Sequence, residues 1–124
     1  MKFVAIRSNI KEALSVIERA AGENLNLPIL KNVLIEAGSD GITFAATNLE
    51  LAITCYVSGK VIENGKITAP LALFSNLITN IQSDRLNFSK KGNALEVKTD
   101  NYSATLQGLP AEDFPITPKI KDPK

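Results

Sequence analysis

The feature that most constrains the fold is an order of elements that occurs twice: one strand, one helix, then three strands. Alternating apolar residues bounded by turn residues indicate the strands, and a spacing of three and four indicates the helices. Strands are predicted at residues 2–6, 30–37, 42–47, 49–58, 60–62, 66–69, 85–89, 95–99 and 102–108. This duplicated strand-helix-three-strand unit predicts an α+β fold, with two helices packed on one face of antiparallel sheet.

Each predicted helix has one apolar face. Ser8 is the predicted N-cap of the first helix, which runs to about residue 21, and Pro70 is predicted at the first position of the second, which runs to about residue 81. The inward residues are Ile10, Ala13, Leu14, Ile17 and Ala21 in the first helix and Phe74, Leu77, Ile78 and Ile81 in the second.

The outer face of the second helix is polar without being charged, because residues 70–81 contain no acid or base. Its stripe consists of Ala72, Ser75, Asn76, Thr79 and Asn80. A solvated helix face normally carries lysine, glutamate or arginine. Two interpretations remain open: a short helix that packing alone supports, or a surface that passes close to a polyanion without holding it.

Composition excludes several classes of function. The chain has no histidine and one cysteine, so zinc and transition-metal sites, internal disulfides and histidine-assisted nucleophilic catalysis are not expected. Fourteen basic and 13 acidic residues give a net charge of +1, too little for a domain that grips nucleic acid tightly. No apolar run reaches the ~20 residues of a membrane span, and no signal peptide is apparent. We expect a cytoplasmic protein without a cofactor.

Three short blocks carry a family resemblance, and in two of them prolines stand beside large apolar residues. They are Leu27-Pro28-Ile29-Leu30, Thr47-Asn48-Leu49-Glu50 and Leu109-Pro110-Ala111-Glu112-Asp113-Phe114-Pro115. In this order and spacing the chain resembles the N-terminal domain of the bacterial replicative sliding clamp, the beta subunit of DNA polymerase III. The resemblance covers nearly all of residues 1–116, which we predict to be the domain. Residues 117–124, rich in proline and charge, are predicted to be a linker to a second domain.

The resemblance implies a function. Clamps of this family close as head-to-tail homodimer rings of six domains around duplex DNA and tether the polymerase, with two helices of each domain facing inward. The groove for polymerase and clamp-loader peptides lies between the second and third domains, outside this chain. The isolated domain is therefore expected to be monomeric and to bind DNA weakly and without sequence preference.

The resemblance also implies particular residues. An arginine that touches DNA in the family matches Asn24, and a second basic position falls on Ala72, so direct phosphate contact by this domain is reduced. The predicted DNA-facing residues are Lys11, Arg19, Asn24, Ser75, Asn76 and Thr79. The subunit interface is predicted near Leu73 and Ala104, although Leu73 could instead border the core.

Other distinctive residues are assigned structural roles. Cys55 is predicted to be a buried apolar residue, and Asp113 to cap or hydrogen-bond the turn before Phe114-Pro115. Glu50 and Glu112 lack the glycine-rich loop or second acidic cluster that catalysis or Mg²⁺ binding requires. The Leu27-Pro28-Ile29-Leu30 block is predicted to lead the chain into the core, with a partner-binding loop as the alternative. Alternative functions are an interaction module that adds a partner strand to a sheet edge, and a small-molecule enzyme with a deep pocket.

Overall fold

Both predicted helices and every predicted strand form. The computed structural model describes residues 1–18, 32–47, 52–101 and 103–113. In these residues the elements are β1 (Lys2–Ile6), α1 (Arg7–Ile17), β2 (Asn32–Gly38), β3 (Gly41–Thr47), β4 (Ala52–Val57), β5 (Gly59–Glu63), β6 (Gly65–Pro70), α2 (Leu71–Asn80), β7 (Arg85–Lys91), β8 (Ala94–Lys98) and β9 (Ser103–Gln107), followed by a 3₁₀ turn at Ala111–Asp113. The predicted α+β class is confirmed. The order of one strand, one helix and three strands occurs twice, with β5 as an additional strand between the two copies.

The strands divide between two antiparallel sheets. One sheet has the order β5-β1-β7-β8-β9 and the other the order β4-β3-β2-β6. The first strand of each repeat lies in the sheet of the other repeat, because β1 pairs with β7 and β6 pairs with β2. Neither repeat therefore completes a sheet from its own strands, and the two repeats form one folding unit.

The two strand-helix junctions are alike. Phe3 and Ala5 in β1 stand at the same distance before α1 as Ile67 and Ala69 stand before α2, and all four are buried. Both helices start directly from the end of a strand, so no loop residue is available to cap them.

The starts and ends of the helices differ from the prediction. The predicted N-cap Ser8 lies inside the first turn of α1, whose N-cap is Ile6 and has no side-chain cap. Pro70 is the N-cap of α2 rather than its first residue, because it still belongs to β6 with φ −63° and ψ 121°. Helix α1 ends at Ile17, with Glu18 as its C-cap, and the rest of the predicted last turn lies outside the described residues.

The core lies between the helices and the two sheets. The inward residues of α1 are buried as predicted as far as Ile17. In α2, Leu71 is buried beside Phe74 and Ile78, whereas Leu77 packs against the core but stays half-buried. The ring of Phe74 lies 5.9 Å from Phe44 of β3 and 6.1 Å from Phe88 of β7, measured between centroids. One α2 side chain therefore joins both sheets.

The segment that follows β9 is fixed to the outer side of β6. Thr68 is fully buried, and its Oγ1 accepts a hydrogen bond from the Leu109 amide (3.0 Å) while donating one to the Leu109 carbonyl (2.6 Å). The same oxygen accepts a bond from Asn32 Nδ2 at 3.0 Å. These contacts cover the β6 edge of the four-stranded sheet.

One buried position is predicted wrongly. Cys55 is half-buried rather than buried, because β4 is the outermost strand of its sheet and one side of it stays open. Several predicted features fall outside the described residues: the Leu27-Pro28-Ile29-Leu30 block, the Asn48 turn, the linker, and the side chain of Asp113.

Candidate nucleic-acid interface

The two helices lie side by side and run in opposite directions. Arg7, the first residue of α1, donates from Nε to the Ile78 carbonyl (2.8 Å) and from Nη2 to the Thr79 carbonyl (2.9 Å) in the last turn of α2. At the other end of α1, Glu18 accepts a hydrogen bond from Ser75 Oγ. The arginine also places a positive charge at the negative end of the α2 dipole, which stabilises the pair.

A shallow groove runs between the exposed sides of the helices. Its volume is about 160 Å³, and its lining consists of Lys11, Leu14, Ser15, Glu18, Ser75 and Thr79. Three of the predicted DNA-facing residues, Lys11, Ser75 and Thr79, thus meet in one place. Asn76 lies exposed on α2 beside them. Arg19 and Asn24, also predicted to face DNA, lie outside the described residues.

The helical face offers hydrogen-bond donors with little charge. Helix α2 contributes hydroxyl and amide groups only, and the exposed charges of α1 within the described residues are Lys11, Glu12 and Glu18. Hydroxyl and amide groups contact phosphate oxygens without reading base sequence. Because few phosphates could be neutralised here, contact with a polyanion would be weak and sensitive to salt.

Two strands that end a sheet carry no charge and pair on one side only with the rest of the described residues. Strand β9, which carries the predicted interface residue Ala104, ends the five-stranded sheet, and β4 ends the four-stranded sheet. Neither strand contains a charged residue, and unpaired edge strands are templates for pairing with another chain. Leu73 is 57% exposed on α2, and Tyr56 is 79% exposed on β4.

Sequence reasoning missed the β4 edge, Arg7 and Glu18. The absence of charge over Ala52–Val57 was a signal for an open edge, but the order of strands along the chain does not say which of them ends a sheet. Nothing in the sequence pattern links Arg7 to residues 78 and 79, which lie more than 70 positions away.

The described residues contain no obvious catalytic or metal centre. No group of three or more acids or cysteines is placed to hold a metal ion in this part of the chain. Burial raises the pKa of the Cys55 thiol, so less reactive thiolate is present at neutral pH. A larger depression of about 390 Å³ lies open at the strand turns and is lined by residues such as Ser39, Asp40 and Asn64.

No helix in the described ranges is long and apolar enough to span a bilayer.

The fold is that of a domain of the DNA clamp class. The family model of the DNA polymerase III beta subunit N-terminal domain matches residues 1–118, and the chain belongs to this family. Members of the family are non-catalytic accessory subunits of a DNA polymerase.

Curated relatives and solved structures agree with this assignment. The beta sliding clamp of Chlamydia pneumoniae is 30% identical over 98% of this chain, which spans 34% of that protein. The Vibrio harveyi beta sliding clamp sequence is 31% identical, and the match covers 93% of this chain and 81% of that sequence. The sliding clamp structure from Caulobacter crescentus superposes with a TM-score of 0.87 at 27% identity, over 94% of this chain and 32% of that one. The Bacillus subtilis clamp, at 19% identity, shares the fold with a TM-score of 0.91 over 98% of this chain and 34% of that one. The chain therefore spans about a third of the length of most of these clamps.

Proposed function

We propose that this chain is the first domain of a ring that encircles duplex DNA and tethers the polymerase during chromosomal replication in the cytoplasm. The observation that carries this proposal is the helical face, whose groove is lined by hydroxyl groups, one lysine and one glutamate instead of a basic patch. A ring holds DNA by being closed, so its inner wall must contact phosphates weakly enough to slide. Residues 1–116 are the proposed domain and residues 117–124 the proposed linker.

The two uncharged edges support the ring geometry. Closure requires each domain to meet a neighbour on both sides, and β4 and β9 provide one open edge in each sheet. We assign the neighbouring subunit to the β9 side, near Ala104 and the exposed Leu73. Polymerase and clamp loader would bind elsewhere in the whole protein. The 124-residue chain alone is then expected to sediment as a monomer, and a stable closed oligomer would contradict this assignment.

DNA topology provides the direct test. The complete natural protein that contains this sequence is loaded onto a nicked circular plasmid by its clamp loader, and retention is measured after gel filtration. Cutting the same plasmid once with a restriction enzyme is expected to release the protein, because a sliding ring leaves through a free end. Equal retention on circular and linear DNA contradicts encirclement.

A second function is favoured by the same open edges. An interaction module that binds a partner by edge-strand addition would use β4 or β9 and ignore DNA. Such a module would show no retention on either form of the plasmid, while a charge placed in an edge strand, such as Thr105→Lys, would abolish its binding to a protein partner. In a clamp the same substitution weakens ring closure and shortens retention on the circle.

A further inference from the structure

Glu18 stands where local physical chemistry disfavours an acid. It is the C-cap of α1, and the last turn of that helix carries no basic residue. The C-terminal end of a helix bears partial negative charge, so a carboxylate there is repelled. Positions that break a local rule are candidates for function.

The carboxylate is also held in place by the neighbouring helix. Ser75 Oγ donates a hydrogen bond of 2.6 Å to Glu18 Oε2, and both residues line the groove between the helices. The remaining polar lining consists of Lys11, Ser15 and Thr79. The Ser15 hydroxyl already donates to the Glu12 carbonyl at 2.8 Å, so the Lys11 ammonium and the Thr79 hydroxyl are the donors left for a ligand. These are the groups that proteins use to hold DNA phosphates. A fixed negative charge therefore sits inside a groove that would otherwise suit a phosphate.

We propose that Glu18 weakens phosphate contact and so keeps DNA phosphates from binding between the helices. This inference rests on the proposed function, in which the helical face lies against DNA. The carboxylate accepts the hydrogen bond of the Ser75 hydroxyl, which is then not available to a phosphate, and it repels an approaching phosphate. The DNA backbone therefore passes over Lys11 without being bound. The Glu18 carboxylate thus helps to keep the phosphate contacts weak enough for DNA to slide.

The test removes the negative charge of Glu18 while keeping a side-chain oxygen that can accept the Ser75 hydrogen bond. Glu18→Gln and the matched control Glu12→Gln each raise the net charge by one on the same helix, but Glu12 does not line the groove. Each ¹⁵N-labelled 124-residue chain is titrated with a 20-bp duplex at 50 and 200 mM salt, and affinity is read from NMR shift changes. One added phosphate contact steepens the slope of log K against log salt by ~0.9. The affinity of Glu18→Gln relative to the unsubstituted chain should therefore rise about 3.5-fold between 200 and 50 mM salt.

The control and the location of the shifts decide the outcome. Glu12→Gln is expected to change the slope by much less than Glu18→Gln. Equal changes in both variants, or no gain in Glu18→Gln, overturn the inference. A change in unfolding temperature with an unaltered salt slope would show that Glu18 only joins the helices, and this also overturns it. The proposed function fails separately, if the shifts map to the sheets or if retention does not depend on DNA topology.

Discussion

At the scale of single residues, the contact between Gly108 and Thr68 shows how closely two backbones approach. Gly108 follows β9 directly, and its amide donates to the Asn93 carbonyl at 2.8 Å. A Cβ on Gly108 would overlap the Thr68 carbonyl oxygen, which is backbone and cannot move aside like a flexible side chain. Only glycine lets the exit segment reach β6 and form the Thr68–Leu109 hydrogen bonds.

Gly108→Ala is therefore expected to destabilise the fold. Forcing the segment away from β6 weakens its bonds to the buried Thr68, and we expect a loss of about 2–3 kcal/mol in the free energy of unfolding. The matched control is Gly38→Ala, where a Cβ meets nothing within 4 Å, and it should change stability by less than about 1 kcal/mol. Urea denaturation measures both. Equal losses in the two variants would show that the close approach at Gly108 is not what matters.

At the scale of elements, the helix pair depends on contacts that neither helix supplies to itself. Helix α2 ends at Asn80 without a basic residue in its last turn, and the cation at that end comes from Arg7 of α1. The planar guanidinium reaches two successive carbonyls at once, which a lysine ammonium cannot do with the same geometry. Arg7 therefore sets where the two helices lie relative to each other and so shapes the groove.

We expect Arg7→Met to loosen the end of α2. Two charge-assisted hydrogen bonds are lost, one of them exposed to solvent, so the expected cost is about 1–2 kcal/mol. Lys11→Met removes the same charge from the same helix without removing a bond to α2, and should cost less. Hydrogen exchange is expected to speed up in the last turn of α2 in Arg7→Met alone. Unchanged exchange there would contradict the role given to Arg7.

At the scale of the whole molecule, the exchange of first strands makes the repeats interdependent. The first half of the chain contains β2, β3 and β4, but the free side of β2 pairs with β6 of the second half. In the same way, β7 of the second half pairs with β1 of the first half. The phenylalanine cluster crosses the same boundary, since Phe3 stacks on Phe88 at 4.6 Å. Duplication in sequence thus does not mean independent folding in space.

Separated halves are expected to be unfolded and to fold when mixed. Cutting after Asn64, in the exposed turn between β5 and β6, gives fragments 1–64 and 65–124 without breaking an element. Fragment 1–64 lacks one strand of its main sheet, β6, and fragment 65–124 lacks two, β1 and β5. Each also lacks half of the core, so neither should show a cooperative thermal transition. Circular dichroism of the mixture, compared with the intact chain, measures recovery. A cooperative transition in either fragment alone would contradict this.

The local sequence pattern is enough to predict the helices and strands and the exposed face of α2. Apolar spacing identified Ile10 and Ile17, turn residues separated the strands, and the absence of charge marked α2, because these signals depend only on neighbours within a few positions. Capping was misjudged at Ser8 because the start of α1 is set by the strand that precedes it. Cys55 was misjudged because its exposure depends on β4 being an edge.

The α+β class, the duplicated order and the family resemblance can therefore be predicted from local periodicity and short motifs. Tertiary structure alone decided which strands end the sheets, which repeat each first strand joins, and which side chains meet between the helices. The Arg7 contacts and the Ser75–Glu18 bond join residues more than 50 positions apart. Such contacts follow from how the sheets exchange strands, and no local signal encodes them.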